Sequence, residues 1–116
     1  MDCYINNTLH AVQILENTVK RIDGAYAPST IRAYKSSFGR FIQFCEEHKV
    51  TALPADPEDV ALYISKLTKS GLKSSSIRII VAAISTIHKL NLLSDPTQHP
   101  AIKIELRRMH RTLWAK

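Results

Sequence analysis

Two stretches of this 116-residue chain carry cations and no carboxylate. Between Gly24 and Cys45 stand Arg32, Lys35 and Arg40; between Val60 and Ser94 stand Lys66, Lys69, Lys73, Arg78 and Lys89. A third set, Lys103, Arg107 and Arg111, recurs every four residues, a spacing that lines one side of a helix. Guanidinium and ammonium groups with no acid among them are suited to neutralising phosphates, a contact that releases counterions and makes affinity fall with salt. The whole chain has the same bias: 16 Lys and Arg against 10 Asp and Glu give a formal charge of +6 and an isoelectric point near 9.6. That balance favours nucleic acid, an anionic membrane surface or an acidic protein as partner. For any one face, simple solvation of the cations is the plain alternative.

Other chemistries find no constellation. His10, His48, His88, His99 and His110 lack the spacing of a zinc finger or an HExxH helix, so no metal is expected. Gly24, Gly39 and Gly71 are scattered, which excludes a glycine-rich phosphate loop, and no cofactor or small-molecule substrate is expected. Cys3 and Cys45 form no Cys-x-x-Cys and are too few for a disulfide scaffold, so a reducing, intracellular setting is expected: cytoplasm and nucleoid, or a nucleus. Cys45 sits in an apolar pattern and reads as a buried thiol. No signal peptide and no apolar run near the ~20 residues of a membrane span is visible, so no membrane partner is expected. Tyr34 and Tyr63 fall within apolar patterns and read as packing residues.

The elements that must position the cations are helices. The length suits one domain with a real core. Val12, Leu15, Val19 and Ile22 recur at helical spacing, with Ile14 beside them, in a first helix from about Asn6 to Ile22 that Asp23-Gly24 ends. A second follows Pro28, with Ser29 or Thr30 as N-cap and Ile31, Tyr34, Phe38, Phe41 and Cys45 as core face. Its other side carries Arg32, Lys35, Ser36, Gly39, Arg40 and Gln43. Asp56-Pro57-Glu58-Asp59 starts a third, with a capping Asp, Pro at the first position and acids where the helix dipole favours them. Val60, Ile64 and Leu67 face inward, and Ser70-Gly71 stops it. A fourth runs from Ser74-Ser75-Ser76 to about Leu90. It buries Ile77, Ile80, Val81, Ile84 and Ile87 and exposes Ser75, Arg78, Ala82, Ser85 and Lys89. A fifth follows Asp95-Pro96 and His99-Pro100, with Ile102, Leu106, Met109 and Leu113 on one side and the Lys103, Arg107, Arg111 stripe on another. The expectation is an all-α bundle of four to five helices.

The motifs in this order resemble a family. Ser29-Thr30-Ile31-Arg32-Ala33-Tyr34, continuing to Phe41, Phe44 and Cys45, is similar to the opening helix of the SAM-like core-binding domain of tyrosine recombinases, the phage integrases. Leu53-Pro54-Ala55-Asp56-Pro57-Glu58-Asp59-Val60 with Tyr63-Ile64-Ser65-Lys66-Leu67 resembles that domain's next helix. Ser70-Gly71-Leu72-Lys73-Ser74-Ser75-Ser76-Ile77 resembles its turn into the following one, and His88 falls where family members often carry a histidine. The resemblance covers about Pro28 to Trp114. It implies a DNA-binding domain over 28–114, preceded by a helix and linker over 1–27, in one unit.

It further implies one arm of a clamp on duplex DNA, with helices two and four against the major groove. By position, Arg32, Ala33, Ser75, Arg78 and Ile79 would face the groove, and Lys35, Ser36 and Lys73 the phosphates, with Arg40 and Lys89 on the same basic faces. Ala33 and Ile79 depart from long polar readers and point to apolar or shape readout. Lys103, Arg107 and Arg111 would contact DNA or another recombinase protomer. The family's tyrosine nucleophile and its basic partners belong to a C-terminal catalytic domain that this chain is expected to lack. Tyr4, Tyr26, Tyr34 and Tyr63 do not match the nucleophile's motif, and Arg107-Arg108-Met109-His110-Arg111 reads as a basic amphipathic helix, so this chain alone is not expected to be an enzyme. The main alternative is a helical protein-interaction domain of the same fold, motivated by an exposed apolar side of the fifth helix at Ile102, Met109 and Leu113. A small stand-alone enzyme has no constellation behind it.

Overall fold

The computed structural model describes residues 2–114, and side chains from Asn7 to Leu113; the side chains of Cys3 and Tyr4 lie outside the described residues. Five α-helices follow in order: α1 (Asp2–Ile22), α2 (Pro28–Glu47), α3 (Pro57–Lys69), α4 (Ser74–Leu90) and α5 (Pro100–Trp114), with a 3-10 turn at Pro96–Gln98. The fold is all-α, as expected. α2 lies between α1 and α4, α3 pairs with α5, and the 3-10 turn sits against α3, α4 and α5. The whole is flattened, 40 × 38 × 22 Å.

The expected core faces account for most of the interior. Phe38 and Phe41 of α2, Val60 and Ile64 of α3, Ile77, Ile84 and Ile87 of α4, and Ile102 and Met109 of α5 are fully buried. Tyr63 is buried, tilted against Phe41 and Phe44 with ring centroids 5.3 and 4.7 Å away. Leu67 and Val81 are only half-buried, at the edge of the core. Cys45 is buried as expected, and burial pushes its thiol up to about 12, with the Asp59 carboxylate adding to the effect.

Four expectations need correction. The inward line of α1 is Ala11, Leu15, Thr18 and Ile22, while Val12 is exposed. Periodicity in apolar residues misses this phase because a threonine holds one of the core positions. Thr18 is tolerated there because its hydroxyl donates to the Ile14 carbonyl at 2.7 Å and accepts from Asn91 Nδ2 at 3.0 Å, leaving no unmet polar group. α1 also begins at Asp2 rather than Asn6.

The N-cap of α2 is Ala27, neither Ser29 nor Thr30. Pro28 confines the residue before it to extended backbone and is itself preorganised for the first helical position, so the helix opens two residues early. α4 begins at Ser74, as expected, behind Lys73 and with no side-chain cap. Lastly, Ile102 and Met109 form no exposed apolar side: both are fully buried, and Leu113 is half-buried against the core. Among the described residues, the large apolar side chain that α5 exposes is Ile104.

The ends of α3 match their sequence signals. Asp56 accepts from the Glu58 amide at 2.9 Å, and Gly71 takes a φ of +89°, which a residue with a Cβ adopts at a cost. Two polar anchors then fix α4. His88 is completely buried and bridges two backbone groups: Nδ1 donates to the Ile84 carbonyl at 2.7 Å, and Nε2 accepts from the Ala55 amide at 2.9 Å. Asp95 caps the 3-10 turn through the Thr97 amide at 2.9 Å and accepts from the Ser85 hydroxyl of α4 at 2.6 Å.

Candidate nucleic-acid interface

α2 and α4 run side by side and turn adjoining faces outward. On α2, Arg32, Lys35, Ser36 and Arg40 are exposed; on α4, Ser75, Arg78, Ile79, Ala82 and Lys89 are exposed. Each helix opens without an acid in its first turn and without a side chain on its first amides. α3 does the reverse, with Asp56 bonded at its N-cap and Glu58 and Asp59 behind it. The N-terminal ends of α2 and α4 thus carry the helix dipole's partial positive charge with no carboxylate to offset it. Such ends suit phosphate oxygens.

The two helices meet at a groove of about 300 Å3 lined by Ser29, Thr30, Ala33, Tyr34, Ile79 and Ala82. It brings together the two apolar positions singled out in the sequence, Ala33 and Ile79. Helical spacing puts Arg32 and Ser36 together on one side of α2, beside the groove residues rather than among them, and Lys35 on its far flank. Arg78 looks the other way from Ile79, towards α5, where its Nη2 lies 3.5 Å from His110 Nδ1. Lys73, at the N-cap of α4, and Ser75, in the first turn, stand at the same end of that helix.

Two of the expected residues are placed elsewhere. Arg40 lines a separate groove with Gln43, Phe44, Tyr63 and Lys66, against α3. Lys89 pairs with Asp95 at 3.8 Å. Burial works to raise the Asp95 pKa, but the hydrogen bonds from Ser85, Thr97 and Gln98 outweigh it and hold the carboxyl below its ordinary value. Lys89 therefore spends part of its charge within the fold. Ser29, Thr30 and Tyr34 join the lining beyond the expected contact residues; Thr30 stands one helical turn from Ala33, and that spacing could have found it.

Lys103, Arg107 and Arg111 line one groove of about 410 Å3 on α5, with Gln98, Pro100, Ile104 and Arg108. Arg108 also pairs with Glu105 at 3.0 Å. This basic surface is distinct from the α2–α4 groove. Among the described residues no group of His, Cys, Asp and Glu could hold a metal ion, and no helix is long and apolar enough to cross a membrane.

An "Integrase/recombinase xerD homolog" of Selenomonas ruminantium is 35% identical over 69 residues, covering 60% of this chain and 20% of that protein. A "Tyrosine recombinase XerD" of Chlorobaculum tepidum is 30% identical over 89 residues, covering 76% of this chain and 29% of that protein. The chain spans less than a third of the length of these curated relatives. The model of a family described as "Phage integrase, N-terminal SAM-like domain" matches residues 21–91, from the end of α1 through α4 and its C-cap. That match takes in more than half of the sequence and both helices of the groove, and the chain belongs to the phage integrase N-terminal SAM-like domain family.

Proposed function

We propose that this chain is the DNA-binding module of a tyrosine site-specific recombinase or integrase, and that it grips duplex DNA with the outward faces of α2 and α4 during DNA recombination. The observation that carries this reading is the pairing of α2 and α4, whose N-terminal halves carry the exposed cations Arg32 and Lys35, and Lys73 and Arg78, with no acid among them, on either side of a shared groove between the helices. Phosphate contacts by those cations supply affinity, and the groove faces the bases. Residues 28–114 form the DNA-binding unit, with α1 as an appended helix. Arg40 and Lys89 contribute at the margins, because α3 and Asp95 hold them to one side. The chemistry of strand breakage belongs to a catalytic domain, and the module itself forms no covalent bond with DNA.

The α5 groove favours a second use beside this one. Its exposed Ile104 sits among four cations, a mixture that fits contact with another recombinase protomer on the DNA better than contact with phosphates alone.

The test is duplex binding by Arg32→Ala/Arg78→Ala. Both side chains are exposed, so the helical fold should persist by circular dichroism while affinity at low salt falls about tenfold or more. Parent-like binding by the folded double variant would place the DNA elsewhere. Failure of the parent itself to bind duplex at low salt would leave the protein-interaction alternative.

A further inference from the structure

The groove between α2 and α4 has an unusual lining for a surface rich in cations. Its walls are the methyl groups of Ala33, Ala82 and Thr30, the side chain of Ile79 and the ring of Tyr34, with hydroxyls from Ser29, Thr30 and Tyr34 and no charged or amide side chain. Ile79 is 47% exposed, an isolated large apolar side chain on an outward face that otherwise shows Ser75, Arg78, Ala82 and Lys89. Tyr34 is braced edge-on by Tyr26, with ring centroids 6.3 Å apart. The cations of the two helices stand outside this lining, Arg32 and Lys35 on α2, and Lys73 and Arg78 at the start of α4. Small residues at 33 and 82 let another surface approach both helix axes closely.

We propose that this groove receives the C5-methyl group of a thymine presented in the DNA major groove, so that Ala33, Ile79 and Ala82 read sequence by apolar contact. The inference rests on the reading of the α2–α4 face as the DNA-binding surface. Four base edges compete for such a site. Guanine, adenine and cytosine offer hydrogen-bonding atoms that are read by Arg, Lys, Asn, Gln or a carboxylate, while thymine adds a methyl group to its O4 acceptor. The lining supplies no bidentate partner for the first three. It supplies an apolar wall for the methyl, and hydroxyls whose protons suit O4. The space is several times the ~30 Å3 share of a water, a body of about methyl size, so the adjoining edge of the base enters with its methyl group. The cations elsewhere on the two helices hold phosphates and are indifferent to sequence.

The experiment begins with duplexes enriched by the full chain from a random pool. Each enriched thymine is then replaced singly by deoxyuridine, which lacks only the methyl group. Binding is expected to weaken about fourfold at one or two thymines, the value of one buried methyl group. Two variants act on the groove in opposite ways: Ile79→Ser removes a wall and Ala33→Leu fills the space. Both sites are at least partly exposed, and melting curves check that the variants fold. Each variant should bind the thymine and deoxyuridine duplexes equally. Equal binding by the parent at every thymine, or a thymine preference that survives in both variants, would overturn the assignment while leaving DNA binding intact. Duplex binding with no sequence enriched would overturn it too. No duplex binding at low salt would instead remove the underlying reading of the face.

Discussion

His88 shows how one side chain sets a limit on the conditions in which the fold holds. Both of its ring nitrogens are used, one as donor and one as acceptor, so only the neutral ring satisfies the site. Burial lowers its pKa, against the raising influence of the Ile84 carbonyl and of Asp95. The folded chain therefore binds fewer protons at this position than the unfolded chain. The stabilisation is present above the unfolded value of about 6.5 and is lost as pH falls through it towards the lower folded value. The melting temperature should fall by several degrees from pH 7.5 to 5.5, and His88→Gln should be less stable at pH 7.5 yet flatter across that window. An equally steep fall in the variant would show that His88 is not the source of the effect. Cys45 gives a second residue-scale test. With its thiol held near pKa 12, it should resist alkylation at pH 8 in a Cys3→Ser background and react only on unfolding, because the thiolate is the nucleophile. Alkylation of the folded protein as fast as of a free thiol would contradict its burial.

Helices were legible in the sequence where their signals were local. Asp56-Pro57 and Ser70-Gly71 mark the ends of α3 with side chains that act on their own backbone, and both act as read. Removing the cap by Asp56→Ala should cost about 1 kcal/mol in denaturant unfolding, whereas an unchanged midpoint would show that packing alone fixes this end. Faces were harder. The core phase of α1 depends on Thr18 and Ala11, which hydropathy does not flag, and α5 buries Ile102 and Met109 because α3 happens to cover them. The individual cations of the candidate site could be named from the sequence, but the groove could not. Ala33 and Ile79 meet only through the packing of α2 on α4, and the diversion of Arg40 and Lys89 depends on neighbours from α3 and the Asp95 turn.

At the scale of the molecule, the basic charge and the proposed contacts make a quantitative claim. Four phosphate contacts, from Arg32, Lys35, Lys73 and Arg78, give a slope of log affinity against log salt of roughly −3.6 at ~0.9 per phosphate. The Arg32→Ala/Arg78→Ala variant should shift that slope by about 2 units towards zero. Lys103→Ala/Arg107→Ala/Arg111→Ala should leave it within about one unit of the parent for a single protomer on DNA, since α5 forms a separate surface. A collapse of the slope in the α5 variant alone would move the phosphate contacts to that helix.

The bare openings of α2 and α4 carry a cost that the fold need not bear. Ala27 and Lys73 occupy positions where Ser, Asp or Asn would bond the first amides, so the isolated domain forgoes about 1 kcal/mol at each end. A phosphate oxygen would supply the missing acceptor, which makes the nucleic acid a part of the folding equilibrium. Robustness and grip should therefore trade against each other: Ala27→Asp is expected to raise the melting temperature of the free domain and to weaken its hold on DNA, a single change with opposite signs in two assays.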